Sequence, residues 1–190
     1  MNLSHELILH IITLLIWVVF IVYWAVSAIG VKKNVQGSSW GRSFIIRIFL
    51  VIIILQFLQA TSYGQLFDIQ FSYGLQVVGV LILAAGAAFA IWARRHLGRD
   101  WSGTPSIKEG HELVTSGPYR FVRHPIYTGL ILAFIGSALV NGFTWVIIFV
   151  IFTIVLLFRI PKEEGYMMQL FPDRYPEYKK RTKALIPFVW

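Results

Sequence analysis

The 190-residue sequence predicts an all-α integral membrane protein with five transmembrane helices, the last two forming a helical hairpin. Three observations predict it. Hydrophobic residues make up 57% of the chain and charged residues only 14%, where a soluble domain carries about 25% charge. The mean hydropathy is +0.68. The apolar residues are gathered into five runs, and the basic residues are confined to alternate connections between them. The length suits one domain, 1–190. Cysteine is absent, which excludes disulfides, thiolate metal sites and a cysteine nucleophile.

A membrane-spanning helix needs roughly 20 apolar residues. The first run, 7–29, carries Trp17, Tyr23 and Trp24 among aliphatics. It is long and unpunctuated, and nothing basic precedes it, unlike a signal peptide. The second run is 43–60. The third, 75–93, reads LAAGAAFA at its centre. Small residues there let another helix approach closely, and Gly86 and Ala87 offer a wall for a lipophilic molecule arriving from the bilayer. The fourth and fifth runs, 126–140 and 143–158, are separated only by Asn141 and Gly142. That spacing predicts a tight hairpin of two rather short spans.

The basic residues set the orientation. Residues 30–47 hold four, 94–125 hold six and the tail 159–190 holds seven, which accounts for all 17. With five spans these three segments share one side, and the positive-inside rule makes that side the cytoplasm. The N-terminus is expected outside and the C-terminus inside. A bacterial or archaeal plasma membrane, or an endoplasmic reticulum membrane, suits this layout. The net charge of +8 therefore reads as topology and contact with anionic membrane lipids, with Lys32, Lys33 and the cluster 179–183 as examples. A nucleic-acid partner is not expected, because aromatic residues do not interleave a soluble basic face.

Two cytoplasmic segments carry nearly all the polar chemistry. One is the long connection 95–125, within 94–125; the other is the tail 159–190. Long loops in compact proteins are commonly functional. In HELVTSGPYRFVRHPIYTG (111–129), Ser116, Gly117 and Pro118 form a turn. Pro125 suits a first helical position, which places His124 at the N-cap of the fourth helix, with Tyr127 on the same face. A structural reading makes His124 and Tyr127 interface anchors. No second His or carboxylate stands at metal-ligand spacing, so no metal is expected, and Ser116 lacks a nucleophile elbow.

In RIPKEEGYMMQLFPDRYPEY (159–178), Pro161 reads as a helix start, with Glu163 and Glu164 in a first turn favoured by the helix dipole. If the helix instead runs through Pro161, Arg159 and Glu163 share one face at the membrane boundary. Charges at that depth are expensive and often functional. Arg159 then suits an anion and Glu163 a cation.

Together these residues resemble the isoprenylcysteine carboxyl methyltransferase family in its short prokaryotic-type form. The resemblance rests on WSGTPSIKEGHELVTSGPYRFVRHPIYTG (101–129) and RIPKEEGYMMQLFPDRYPEYKKRT (159–182), about the last ninety residues; the first three runs match only as hydrophobic spans. It implies S-adenosylmethionine as methyl donor, S-adenosylhomocysteine as product, and a cytoplasmic cofactor pocket formed by the 95–125 loop and the C-terminal tail. By resemblance, His111, Glu112, Leu113 and Val114 cradle the cofactor, with further contacts from Tyr119, His124, Pro125, Ile126, Tyr127 and Glu163. Thr104 stands where related members carry Gln. Arg159 binds the substrate, and Arg159 and Glu163 form the catalytic pair. No GxGxxG is present for a Rossmann-type site.

The resemblance implies carboxyl methylation of an isoprenylcysteine-like acceptor, either a lipophilic small molecule or a prenylated substrate. Three alternatives remain at this level. An amine headgroup or lipophilic thiol could be methylated, and an amine would need a base such as His124 or Glu164. A sterol-type reductase using NADPH carries a similar HPxY and basic tail. A transporter or lipid-binding scaffold would need no catalysis. Oligomeric state is open.

Overall fold

The structure, a computed structural model, describes residues 3–37 and 71–187. The second predicted span, 43–60, lies outside the described residues. Within them the fold is mostly helical: α1 (Leu3–Ser27), α2 (Tyr73–Leu97), α3 (Pro125–Asn141), α4 (Phe143–Leu170) and the short α5 (Arg174–Arg181). Among the described residues, three stretches are long and apolar enough to cross a membrane: His5–Ser27, Tyr73–Asp100 and Phe143–Leu170. The helix of the fourth run, α3, has 17 residues, or about 25 Å at 1.5 Å per residue. That is short of a hydrocarbon core of about 30 Å.

The core is made by close approach of α2 and α3. A Cβ added at Gly86 would lie 2.5 Å from the Ala133 nitrogen and 2.6 Å from the Gly129 oxygen; one added at Gly136 would lie 2.4 Å from the Leu83 nitrogen. Backbone meets backbone along this stripe, the contact that small residues permit where no hydrophobic effect drives helices together. The small-residue face of the third run is therefore occupied by α3, which corrects its reading as the wall of a lateral route. α1 joins the pair through its aromatics. The Trp17 indole donates to Ser137 Oγ at 2.9 Å, and Phe20 stacks on Trp24 at 4.9 Å. The lipid-side face of α1 (Leu7, Ile11, Leu15, Val19, Val22 and Val26) remains exposed.

The hairpin turn falls at Gly142, whose φ of +81° an L side chain rarely adopts. Two boundaries differ from the sequence reading. The third helix runs on to Leu97, so the loop starts at Gly98. The fifth helix does not stop at 158; it runs unbroken through Pro161 to Leu170. Pro161 lacks an N–H to give the carbonyl one turn back, and the Arg159–Glu163 ion pair, 3.2 Å long, bridges that turn. Of the tail, 159–170 extends the helix and 171–187 forms a return segment.

The long loop is ordered by partners distant in sequence. Ser106–Lys108 (β2) pairs antiparallel with Asn34–Gly37 (β1), a small ribbon that the all-α expectation lacked. Lys32 Nζ bonds Asp100 Oδ1 at 2.8 Å and the Gly110 carbonyl at 2.6 Å. Lys32 is therefore a specific strap between the segment after α1 and the loop, rather than only an orienting charge.

Candidate functional site

α3 and α4 bring the polar residues together. Pro125 begins α3 and His124 is its N-cap residue, so the His124 ring and Tyr127, one turn on, stack at 5.5 Å with 10° between planes. Because α4 continues through Pro161, Arg159, Glu163 and Glu164 rise on the facing helix. Tyr127 Oη donates to Glu163 Oε1 at 2.5 Å. Arg159 Nη2 donates to the same oxygen at 3.2 Å and to the Gly103 carbonyl at 3.0 Å. His124 Nδ1 lies 3.6 Å from Glu163 Oε2, and its Nε2 lies 3.5 Å from Glu164 Oε1. Both ring nitrogens thus face carboxylates. Burial opposes the charge on His124, but bonding to Glu163 and Glu164 outweighs it and raises the pKa above its ordinary value.

Apart from its approach to His124, the second glutamate is turned away from the cavity. Glu164 accepts from Arg123 Nε at 2.7 Å and Lys179 Nζ at 2.6 Å. The return segment is fastened beside it. The Arg123 and His124 amides donate to the Lys183 and Ala184 carbonyls at 2.8 and 3.0 Å. Arg123 Nη1 donates to the Thr182 carbonyl, and Thr128 Oγ1 donates to the Leu185 carbonyl at 2.7 Å. Tyr178 Oη, on α5, donates to the Tyr119 carbonyl at 2.6 Å. Burial pushes the Tyr119 and Tyr178 phenols up, so both remain neutral.

These elements enclose one cavity. Its polar end holds Arg159, Glu163, His124 and Tyr127, and its apolar end holds Leu130, Phe134, Phe152, Val155 and Leu156. Thr104, His111, Glu112, Leu113, Val114, Tyr119 and Ile126 complete the predicted residues that line it. Pro125 does not line it; it is fully buried as the first residue of α3. His111 takes the Lys108 N–H on Nδ1 at 3.3 Å, and burial lowers its pKa, so its ring is neutral at pH 7. Arg159 Nε and Trp24 Nε1, both buried at the cavity, lack a hydrogen-bond partner, whereas His124 Nε2 has the Glu164 carboxylate at 3.5 Å. Buried donors without partners are costly, and a polar ligand would satisfy them.

The sequence reading missed several wall residues. Asp100, Trp101 and Ser106 come from the strapped loop, Tyr175 and Tyr178 from α5, and Trp24 from α1. Asp100 had a local signal, an acidic residue between Arg99 and Trp101 at the membrane edge. Trp24 had none, because a tryptophan in an apolar span reads as an interface anchor.

A model of the phospholipid methyltransferase family matches residues 75–174, which run from α2 to the first residue of α5. The chain belongs to this family. Protein-S-isoprenylcysteine O-methyltransferase B of Arabidopsis thaliana is 37% identical over 96 residues, 48% of this chain and 49% of that protein. Protein-S-isoprenylcysteine O-methyltransferase of Saccharomyces cerevisiae is 32% identical over 128 residues, 63% and 54% of the two chains. Methanethiol S-methyltransferase 1 of Bradyrhizobium diazoefficiens is 39% identical over 70 residues, 37% and 24%. The chain spans about half the length of the curated relatives it matches. The resemblance to isoprenylcysteine carboxyl methyltransferases read from the two motifs agrees with the names of the Arabidopsis and yeast relatives.

Proposed function

We propose that the protein transfers a methyl group from S-adenosylmethionine to a lipophilic acceptor at the cytoplasmic face of a membrane, with carboxyl methylation of an isoprenylcysteine-like acceptor as the favoured reaction. The observation that carries this reading is the single cavity with a charged end and an apolar end. The charged end suits a zwitterionic, cationic donor, and the apolar end suits a lipid chain. In this reading the chain crosses the bilayer five times, with its N-terminus outside and its C-terminus in the cytoplasm.

S-adenosylmethionine, when bound, supplies an electrophilic methyl group on a sulfonium sulfur. The chain's own residues then have simple tasks. Glu163 would hold the donor's positive charge, and Tyr127, His124 and Arg159 keep that carboxylate fixed. His111, Glu112, Leu113, Val114 and Tyr119 would wall the cofactor, with Thr104 and Ile126 beside them. The buried Nε of Arg159 is left to bind an acceptor carboxylate. A carboxylate is already ionised at neutral pH, so the reaction needs alignment and partial desolvation rather than a base. His124, with both nitrogens turned to carboxylates, is not placed as a base. That disfavours an amine acceptor, which must lose a proton.

A second reading, methylation of a thiol, is supported by the similarity to methanethiol S-methyltransferase 1. Labelled methyl transfer into a panel of prenylated thio-acids, lipophilic thiols and total lipids separates the two. A base-labile product on the thio-acids is the expected result. A base-stable thioether would establish the second reading, and no transfer to any acceptor would refute both.

A further inference from the structure

The two adjacent glutamates of α4 have different surroundings, and the difference assigns them different work. Glu163 touches cavity residues only: Tyr127, Arg159 and His124. Glu164 is nine-tenths buried and lies outside the cavity wall, among three basic groups from two places in the chain. Arg123 precedes α3, Lys179 belongs to α5, and His124 is the N-cap residue of α3. We propose that Glu164 is the positioning residue of the site: it seats the tyrosine face of α5 as a cavity wall and holds His124 turned between the two carboxylates, so that the ring supports Glu163. This rests on the methyltransferase reading for its consequence in turnover, but not for its structural content.

The geometry supports a two-way device. Toward α5, Glu164 Oε2 anchors Lys179 at 2.6 Å. On that helix Tyr178 immediately precedes Lys179 and Tyr175 lies one turn earlier, both buried and both lining the cavity. Arg123, fixed by Glu164 through Nε, uses Nη1 to hold the Thr182 carbonyl. Loss of the carboxylate would leave Arg123 and Lys179 beside each other with no acid between them. Toward the cavity, Glu164 Oε1 faces His124 Nε2, and Glu163 Oε2 faces Nδ1. Only a doubly protonated ring can present a hydrogen to each carboxylate.

The groups facing His124 and its two carboxylates are Glu163, Glu164 and Arg159 on α4, Arg123 and Tyr127 on its own segment, and Lys179 and Tyr175 on α5. Among these Glu164 is the group whose neutralisation removes half of the negative charge around the ring. Burial then favours neutral imidazole. Turnover that depends on His124 being charged acquires a pH dependence that the native protein lacks over the same range.

The test uses the full-length protein in detergent or native membranes, with Glu164→Gln and Glu164→Asp. Nitrogen-15 spectra of ring-labelled His124 and trypsin cleavage at the basic cluster 179–183 require no activity. The expected results are a His124 ring that keeps its second proton to higher pH in the native protein than in Glu164→Gln, with at least tenfold faster cleavage in the variant. Partial restoration of both in Glu164→Asp is also expected. In methyl transfer, Glu164→Gln should lose about 10–100-fold in kcat, the cost typical of outer-shell partners, with the loss deepening as pH rises. A native His124 that titrates below its ordinary value, or a Glu164→Gln protein with unchanged ring protonation and cleavage, overturns the proposal. So does a pH-independent loss of kcat, which is what mere destabilisation would give. Absence of any methyl transfer by the native protein, with the spectroscopic and cleavage results as expected, would refute the proposed reaction and leave the positioning role standing.

Discussion

Replacing Arg159 by Lys tests how the charged end of the cavity divides its labour. In the structure one guanidinium nitrogen, Nη2, serves both the Gly103 carbonyl at 3.0 Å and Glu163 at 3.2 Å. The Nε is buried without a partner. An ammonium is a point charge on a flexible stem. It can keep the pair with Glu163, or the Gly103 contact, but it cannot also place a second donor where Nε sits. The loss is one charge-assisted hydrogen bond to the acceptor, roughly 1.5–3 kcal/mol. At about 1.36 kcal/mol per decade, that is on the order of 10–150-fold in kcat/KM for the acceptor. The donor's affinity should change less than threefold, because Glu163 keeps Tyr127 and His124. Initial rates against acceptor concentration, with donor binding measured by calorimetry on the same preparations, read both quantities. Equal losses of donor affinity and acceptor kcat/KM would refute the assignment of Arg159 to the acceptor.

Two further predictions concern packing and pH. Gly86→Ala puts a methyl group about 2.5 Å from the Ala133 nitrogen of α3, and overpacking of this kind costs about 1–3 kcal/mol. A lower thermal midpoint in detergent is expected, and an unchanged midpoint would contradict the backbone-to-backbone contact. His124 has its folded pKa raised above the ordinary 6.5. Its contribution to stability is therefore fully present below about pH 6.5 and is lost as pH rises through the folded value. Native thermal stability should fall over that alkaline window and His124→Gln should flatten the fall; parallel curves would show that His124 is not the group responsible.

How much of this was legible in the sequence depended on the range of each interaction. Arg159 and Glu163 could be read because both lie on one helix at a spacing of four. His124 and Tyr127 could be read because Pro125 fixes where α3 begins. Pro161 misled as a helix start, because the helix runs through it with the Arg159–Glu163 ion pair bridging that turn. Glu164 could not be distinguished from Glu163, since its partners Arg123 and Lys179 lie 41 and 15 residues away. The β1–β2 ribbon is too short for any alternation to show, and it exists because Asn34–Gly37 reaches across to Ser106–Lys108. Lys32 looked like an orienting charge until Asp100 was placed 2.8 Å from it. The small stripe on α2 promised a close neighbour, and only the fold shows that the neighbour is α3.

The central claim is that one cavity takes a charged donor at one end and a greasy acceptor at the other. Leu130 lines the apolar end on α3, one turn beyond Tyr127. Leu130→Trp should fill that end, raising the acceptor KM at least tenfold while donor affinity by calorimetry stays within twofold of native. A variant that loses donor affinity and acceptor affinity together, or that leaves the acceptor KM unchanged, would contradict a cavity divided in this way.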